Sequence, residues 1–105
     1  MHTLERRGTR LIVHLPVELD HHYTEDIRME VDKRLEEEPI EELEFDFAQT
    51  MFMDSAGIGM ILGRYKIMRA LDGQMVLNHM SGQIRRILYL SGIQSFIQLD
   101  KEEAV

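Results

Sequence analysis

The sequence predicts a small single-piece α/β domain with a mixed sheet and helices mainly on one face, and three features predict that class. Short apolar–polar alternations at Leu11, Val13, Leu15 and at Leu43, Phe45, Phe47 are strand-like. Between and after them lie longer stretches whose apolar residues return every three or four positions, as on a helix face. Strands alternating with helices imply parallel pairing through right-handed crossovers. The 105 residues make one domain, 1–105. A chain of this size buries roughly 60–70% of its unfolded surface, enough for one core.

Taken in order, Thr3 to Arg6 forms a short edge strand, with Arg7-Gly8-Thr9 as the turn. Arg10 to Leu15 is the next strand, and Pro16 ends it. Asp20 reads as an N-cap for a helix over His21 to Glu37, with Glu25 and Asp26 in its early turns, where the dipole favours them. Tyr23, Ile27, Val31 and Leu35 are its buried stripe, and Pro39 blocks continuation. The strand through Leu43, Phe45 and Phe47 turns Glu44 and Asp46 to a wetter face, which suggests that helices do not cover both sides of the sheet evenly. A helix over Gly57 to Leu71 follows, with Ile58, Ile61, Leu62, Tyr65 and Met68 on one face. Asp72-Gly73 stops it, with the glycine in the left-handed conformation. Gln74 to Asn78 is a strand. Ser81 caps a helix over Gln83 to Leu90, with Gly92 at its end. Ser95 to Leu99 is a final strand, and the polar tail from Asp100 to Val105 frays. The predicted order is ββαβαβαβ.

Composition narrows the function classes. The formal net charge is −7, from 19 acidic and 12 basic residues. That balance argues against nucleic acid as a partner, because such binding rests on Lys and Arg neutralising phosphates. The acidic runs Glu36-Glu37-Glu38 and Glu41, Glu42, Glu44 read first as a solvated helix end and loop, and second as a surface open to basic protein partners. With no cysteine there is neither a disulfide framework nor a thiolate metal site. No apolar run approaches the ~18 residues of a membrane span, and the N-terminal residues lack a signal-peptide pattern. A cytoplasmic protein with no membrane partner is expected.

The run Phe52-Met53-Asp54-Ser55-Ala56-Gly57-Ile58-Gly59 reads as a sharp strand-to-helix junction. A helix start leaves backbone N–H groups free and carries partial positive charge, so it suits an anion or an acceptor for one. Asp54 and Ser55 are candidate caps. Gly57 and Gly59 allow close backbone approach, either by a partner or by a neighbouring strand. Gly57-Ile58-Gly59 is a poor nucleotide motif, lacking the third glycine of a dinucleotide fold and the Lys-Ser/Thr of a phosphate-binding loop. His21-His22 is a poor chelate, since adjacent helical residues point about 100° apart. No metal and no cofactor are expected, and no nucleophile–base pair marks an enzyme. The eight methionines, including Met51, Met53, Met60 and Met68, read mostly as core filler, with a minority lining an adaptable docking surface.

Three blocks of the sequence resemble the anti-sigma-factor antagonists of the STAS superfamily, of the sporulation sigma-F type. Glu18-Leu19-Asp20-His21-His22 is similar to their Gly-Glu-Leu-Asp-His-His signature, with Val17 where the glycine stands. Phe52-Met53-Asp54-Ser55, Gly57 and Leu62-Gly63-Arg64-Tyr65-Lys66 match a second signature, and Ser91-Gly92 a third. The resemblance implies a STAS-like domain and a partner-switching regulator. Such antagonists bind an anti-sigma factor that is also a protein kinase and carries ATP or ADP, and so free its sigma factor. Phosphorylation at a hydroxyl just before the first glycine ends the complex, and a phosphatase restores it. By the same resemblance the free protein is a monomer, and the partner contacts are Asp20, His21, Asp54, Ser55, Ala56, Gly57 and Gly59. Relatives usually continue into a further C-terminal helix, which a chain ending at Val105 has in short form or lacks.

One position departs from the family pattern. The phosphoacceptor-equivalent residue is Ala56, whose methyl group cannot accept a phosphoryl group. Three readings stand side by side: an antagonist locked in the docking-competent state, by nature or by substitution; a shift of the acceptor to Ser55, turned about 100° around the helix start; or a constitutive binding module. A STAS-type regulatory or nucleotide-sensing module without phospho-switching is the alternative function.

Overall fold

A computed structural model of the chain describes residues 2–97. The strands are β1 (Thr3–Arg7), β2 (Arg10–His14), β3 (Glu18–Leu19), β4 (Glu42–Asp46), β5 (Phe52–Met53) and β6 (Gln74–Asn78). The helices are α1 (Thr24–Glu37), α2 (Ser55–Ala70) and α3 (Gly82–Ser91), followed by a 3₁₀ turn over Ile93–Ser95. β1 and β2 form an antiparallel hairpin around Gly8, whose φ of +61° suits a residue without Cβ. β2, β4 and β6 then pair in parallel, giving a four-stranded mixed sheet of order β1-β2-β4-β6. β3 and β5 form a separate two-stranded parallel ladder.

The two faces of the main sheet differ. Leu11 and Val13 share register with Leu43 and Phe45, and these with Met75 and Leu77. That face meets Ile27, Val31 and Leu35 of α1, Ile61 and Met68 of α2, and Ile84 and Leu88 of α3 in one apolar cluster. Fully burying each Leu- or Ile-sized side chain stabilises by about 1.5–3 kcal/mol, so this layer holds the fold together. The other face carries Arg10, Ile12 and His14 beside Glu42, Glu44 and Asp46. It is less wet than the alternation predicts. Glu44 is buried, with its carboxylate taken by Arg10 Nη1 at 2.8 Å and Asn78 Nδ2 at 3.2 Å.

Several expected boundaries move, each for a local reason. Asp20 does not cap α1. Its carbonyl accepts from the N–H groups of Tyr23 and Thr24, and its carboxylate from His22 N at 3.0 Å, so it closes a turn before the helix. The helix starts at Thr24 rather than His21, and Tyr23 lies exposed instead of joining the buried stripe. α2 starts at Ser55 because Asp54 caps it there, and its most buried side is Gly57, Met60, Ile61, Arg64 and Met68. Ile58, Leu62 and Tyr65 flank that side, partly buried. After α2, the left-handed residue is Asp72 (φ 59°), not Gly73. Gly73 is needed for space, since a Cβ there would lie 2.6 Å from Met68 Cε and 2.9 Å from Glu41 O. α3 is as expected: Ser81 Oγ accepts from Ile84 N at 3.1 Å, and Gly92 ends it in the left-handed region. The predicted last strand is overturned where it is described. Ile93–Ser95 form a 3₁₀ turn, and Ile97 N then donates to Ile93 O at 2.9 Å, with Ile93 and Ile97 both buried. Gln98, Leu99 and the predicted fraying tail lie outside the described residues.

Candidate functional site at the start of helix α2

The site is assembled by the small β3–β5 ladder. Glu18 pairs with Phe52 and Leu19 with Met53, which brings the Asp20–His21 turn beside Asp54. Asp54 N donates to Leu19 O at 3.2 Å and continues the ladder to the mouth of α2. The Asp54 carboxylate then does two things. Oδ1 accepts from Ala56 N at 2.9 Å and Gly57 N at 3.2 Å, satisfying two of the free donors at the helix start. Oδ2 accepts from His21 N at 3.1 Å and faces His21 Nδ1 at 3.4 Å. One side chain thus caps α2 and holds the turn that leads into α1.

These bonds set the charge state. Partial burial pushes the Asp54 carboxyl up, but the N–H groups of Gly57 and His21, the His21 ring and the Ala56 N–H together outweigh it. The group stays below the usual carboxylate range. The site at neutral pH therefore contains a fixed anion on a helix N-terminus.

The predicted site residues separate by exposure. Ser55 is exposed at the first residue of α2, Ala56 is half-buried, and Gly59 is exposed with open space where a Cβ would stand. His21 is exposed beside Asp54, and its ring lies 4.1 Å from that of His22, tilted by 35°. Gly57 is different. It is buried, and a Cβ there would meet Met53 Cγ at 2.7 Å, Leu19 O at 2.8 Å and Leu19 Cγ at 3.0 Å. Its smallness lets α2 start directly on the β3–β5 ladder, the packing alternative among the two readings of this glycine. Asp20 stands behind the His21–His22 turn.

Two features escaped the sequence reading. Arg64 is buried in α2 with Nε 2.9 Å from Asp32 Oδ1 of α1, close enough to attract though off the line of a hydrogen bond. Burial pushes its guanidinium below its ordinary value, and Asp32 opposes that shift. Its place at helical spacing from Ile61 and Met68 was the available signal. The second is an apolar rim of Val17, Met51 and Phe52, all exposed along the ladder that leads to Asp54. Among the described residues no helix is long and apolar enough to cross a membrane.

This arrangement can be set against known proteins. The STAS domain family model matches residues 2–104. The chain belongs to the STAS family. This STAS domain is 37% identical over 90 residues to a protein of Paenibacillus polymyxa named anti-sigma F factor antagonist, covering 86% of this chain and 77% of that one. Its fold is similar to the unphosphorylated form of the anti-sigma factor antagonist SpoIIAA, with a TM-score of 0.84 and 29% identity over 98% of this chain and 90% of the other. The phosphorylated form of the Bacillus cell fate determinant SpoIIAA superposes with a TM-score of 0.77 at the same identity, covering 98% and 94%.

Proposed function

We propose that this STAS domain is an anti-sigma-factor antagonist. It binds an anti-sigma factor with kinase activity, which holds the ATP or ADP, and so releases a sigma factor. It is a ligand for that partner and not an enzyme. Docking runs through Asp20 and His21 of the turn and through Asp54, Ser55 and Ala56 at the mouth of α2. Gly57 shapes the turn from within, and Gly59 leaves the next turn bare for close approach. The observation that supports this most is the helix start itself. An exposed α2 N-terminus is fixed to a second exposed turn by one carboxylate, in a chain 37% identical to an anti-sigma F factor antagonist.

The same geometry supports a reading of how such a surface would be switched, and of why this one would stay unswitched. A phosphoryl group adds about −1.5 to −2 charge. The dipole of α2 would tolerate it in the fold, beside the Asp54 carboxylate that already takes the N–H groups of Ala56 and Gly57, while its charge and hydration would oppose docking. Ala56 offers no oxygen for that chemistry, so the chain stays in the docking-competent state. Ser55 is accessible, but its Oγ is turned about 100° around the helix from position 56. A kinase that fixes its acceptor tightly discriminates against such a shift. In phosphorylatable relatives a phosphatase reverses the switch; here it has nothing to act on. The free protein is a monomer in the cytoplasm.

The test mixes purified protein with the anti-sigma F factor of Paenibacillus polymyxa and ADP. A complex at micromolar concentration is expected, and none would overturn the proposal. With ATP, mass spectrometry should find no phosphate at residue 56 and little or none on Ser55, whereas Ala56→Ser should be phosphorylated at 56 and lose the complex. Phosphate on Ser55 would remove the lock. A rise in melting temperature with ATP, ADP, GTP or GDP and no partner would favour a nucleotide-sensing module instead.

A further inference from the structure

The open face of the main sheet carries a relay of four titratable side chains that the docking site does not use. His14, at the end of β2, has Nδ1 2.7 Å from Asp46 Oδ2 and Nε2 2.9 Å from Glu5 Oε1. Asp46, at the end of β4, accepts through Oδ1 from Ala48 N at 2.9 Å and faces His79 Nδ1 at 2.9 Å. The relay therefore links edge strand β1, strands β2 and β4, and the turn between β6 and α3, where His79 sits in the left-handed region. His14, Asp46 and His79 line a cavity of about 370 Å³ with Arg7, Arg10, Ile12, Glu44 and Asn78.

The geometry at His14 decides its protonation. Both ring nitrogens lie at hydrogen-bond distance from carboxylate oxygens, which only accept. A neutral imidazole has one N–H, so it would point a lone pair at a carboxylate. Only the imidazolium satisfies both contacts. The other charges on this face are already engaged: Arg7 pairs with Glu5 at 2.6 Å, and Arg10 pairs with Glu42 and with Glu44. Around His14, β1 contributes Glu5 and Arg7, β2 contributes Arg10, β4 contributes Glu44 and Asp46, and the turn after β6 contributes His79. The helices lie on the opposite face.

We propose that His14 is a proton-operated latch: as imidazolium it ties edge strand β1 to β4 through Glu5 and Asp46, and loss of its proton loosens that tie. The charge balance around it agrees. The Glu5 carboxylate, against an opposing desolvation and with help from Asp46, raises His14 above its ordinary value of 6.5. A group raised on folding adds stability that is fully present below its unfolded value and is lost as pH rises through its folded value. The latch is closed below about pH 6.5 and opens at some pH above it.

The test follows the imidazole resonances of the intact chain by NMR from pH 5 to 9. His14 should titrate above 6.5 and carry protons on both nitrogens at pH 6, and Glu5→Gln should lower its midpoint while the fold persists. In parallel, the melting temperature of the unaltered chain should fall from pH 6.5 to 9 by more than that of His14→Gln. A His14 midpoint at or below 6.5, a bare ring nitrogen at pH 6, an unmoved midpoint in Glu5→Gln, or parallel melting curves would each overturn the latch. If His14→Gln does not fold, the midpoints of the unaltered chain and of Glu5→Gln decide alone.

Discussion

Two helix starts meet at the candidate site, and they are built in different ways. α2 begins abruptly, with Asp54 in extended conformation and its carboxylate bonded to Ala56 N and Gly57 N. α1 begins from a turn, with Tyr23 at its N-cap position and no side-chain cap. The uncapped start is held from outside, by Asp20 behind the turn and by Asp54 reaching across to His21 N. The Asp20–His21 edge of the site is therefore positioned by the neighbouring helix rather than by its own. A rigid mouth and a dependent turn let one carboxylate set the shape of the whole surface.

The strongest way to break this contrast is at the base of the rigid start. Gly57→Ala would drive a Cβ to 2.7 Å from Met53 Cγ and 2.8 Å from Leu19 O. Met53 can yield, but Leu19 O belongs to the β3 backbone, so α2 must lift from the ladder. Overpacking of this kind costs up to about 3 kcal/mol, read as a lower urea midpoint. An unchanged midpoint would mean that α2 does not rest on β3 and β5.

Asp54→Ala attacks the link itself. Loss of the cap costs about 1–2 kcal/mol, and the loss should be accompanied by faster amide exchange at His21, across the gap, as well as at Ala56 and Gly57. Exchange confined to α2 would show that the turn before α1 stands unaided. pH sharpens the same comparison. Because the Asp54 carboxyl is held below its ordinary value of 3.8, its contribution is present above that value and fades as pH falls through the lowered folded value. The unaltered protein and Asp54→Ala should differ in melting temperature at pH 6 and converge in strong acid. A constant gap across that range would assign the effect to something other than the ionised carboxylate.

The contrast also separates what the sequence could express from what it could not. The caps of α2 and α3 were legible, because Asp54, Ser81 and Gly92 each act on residues close by in the chain. The stripe of α1 from Ile27 to Leu35 was legible for the same reason, as was the hairpin around Gly8. Asp20 misled because a short acidic side chain serves a turn as well as a helix cap, and only the neighbouring chain decides between them. Gly73 misled in a similar way: glycine answers both a positive φ and a shortage of space, and the backbone of Glu41, which helps create the shortage, is far away in the chain. Ladder strands two residues long, β3 and β5, carry no alternation to read. Yet they place His21 against Asp54, so the core of the site was reachable only through its likeness to a family. The relay through Glu5, His14, Asp46 and His79 spans three strands and a turn, and no local pattern announces it.

The smallest expected effect is also the most discriminating for function, because stability and docking should move in opposite directions. Gly59 lies in the same helix start as Gly57, but beyond its chain neighbours and the helix's own backbone no atom stands within 4 Å of where its Cβ would be. Nothing inside the domain requires a glycine there. Replacing an exposed helical glycine by alanine reduces the freedom of the unfolded chain and stabilises by roughly 0.5–1 kcal/mol. Gly59→Ala should therefore raise the melting temperature slightly, where Gly57→Ala lowers it. If a partner's surface comes close to the bare second turn of α2, the added methyl group should at the same time weaken the complex with the anti-sigma factor. Tighter folding with unchanged binding would place the contact on Asp54, Ser55 and Ala56 alone and move the edge of the docking surface back to the mouth of the helix.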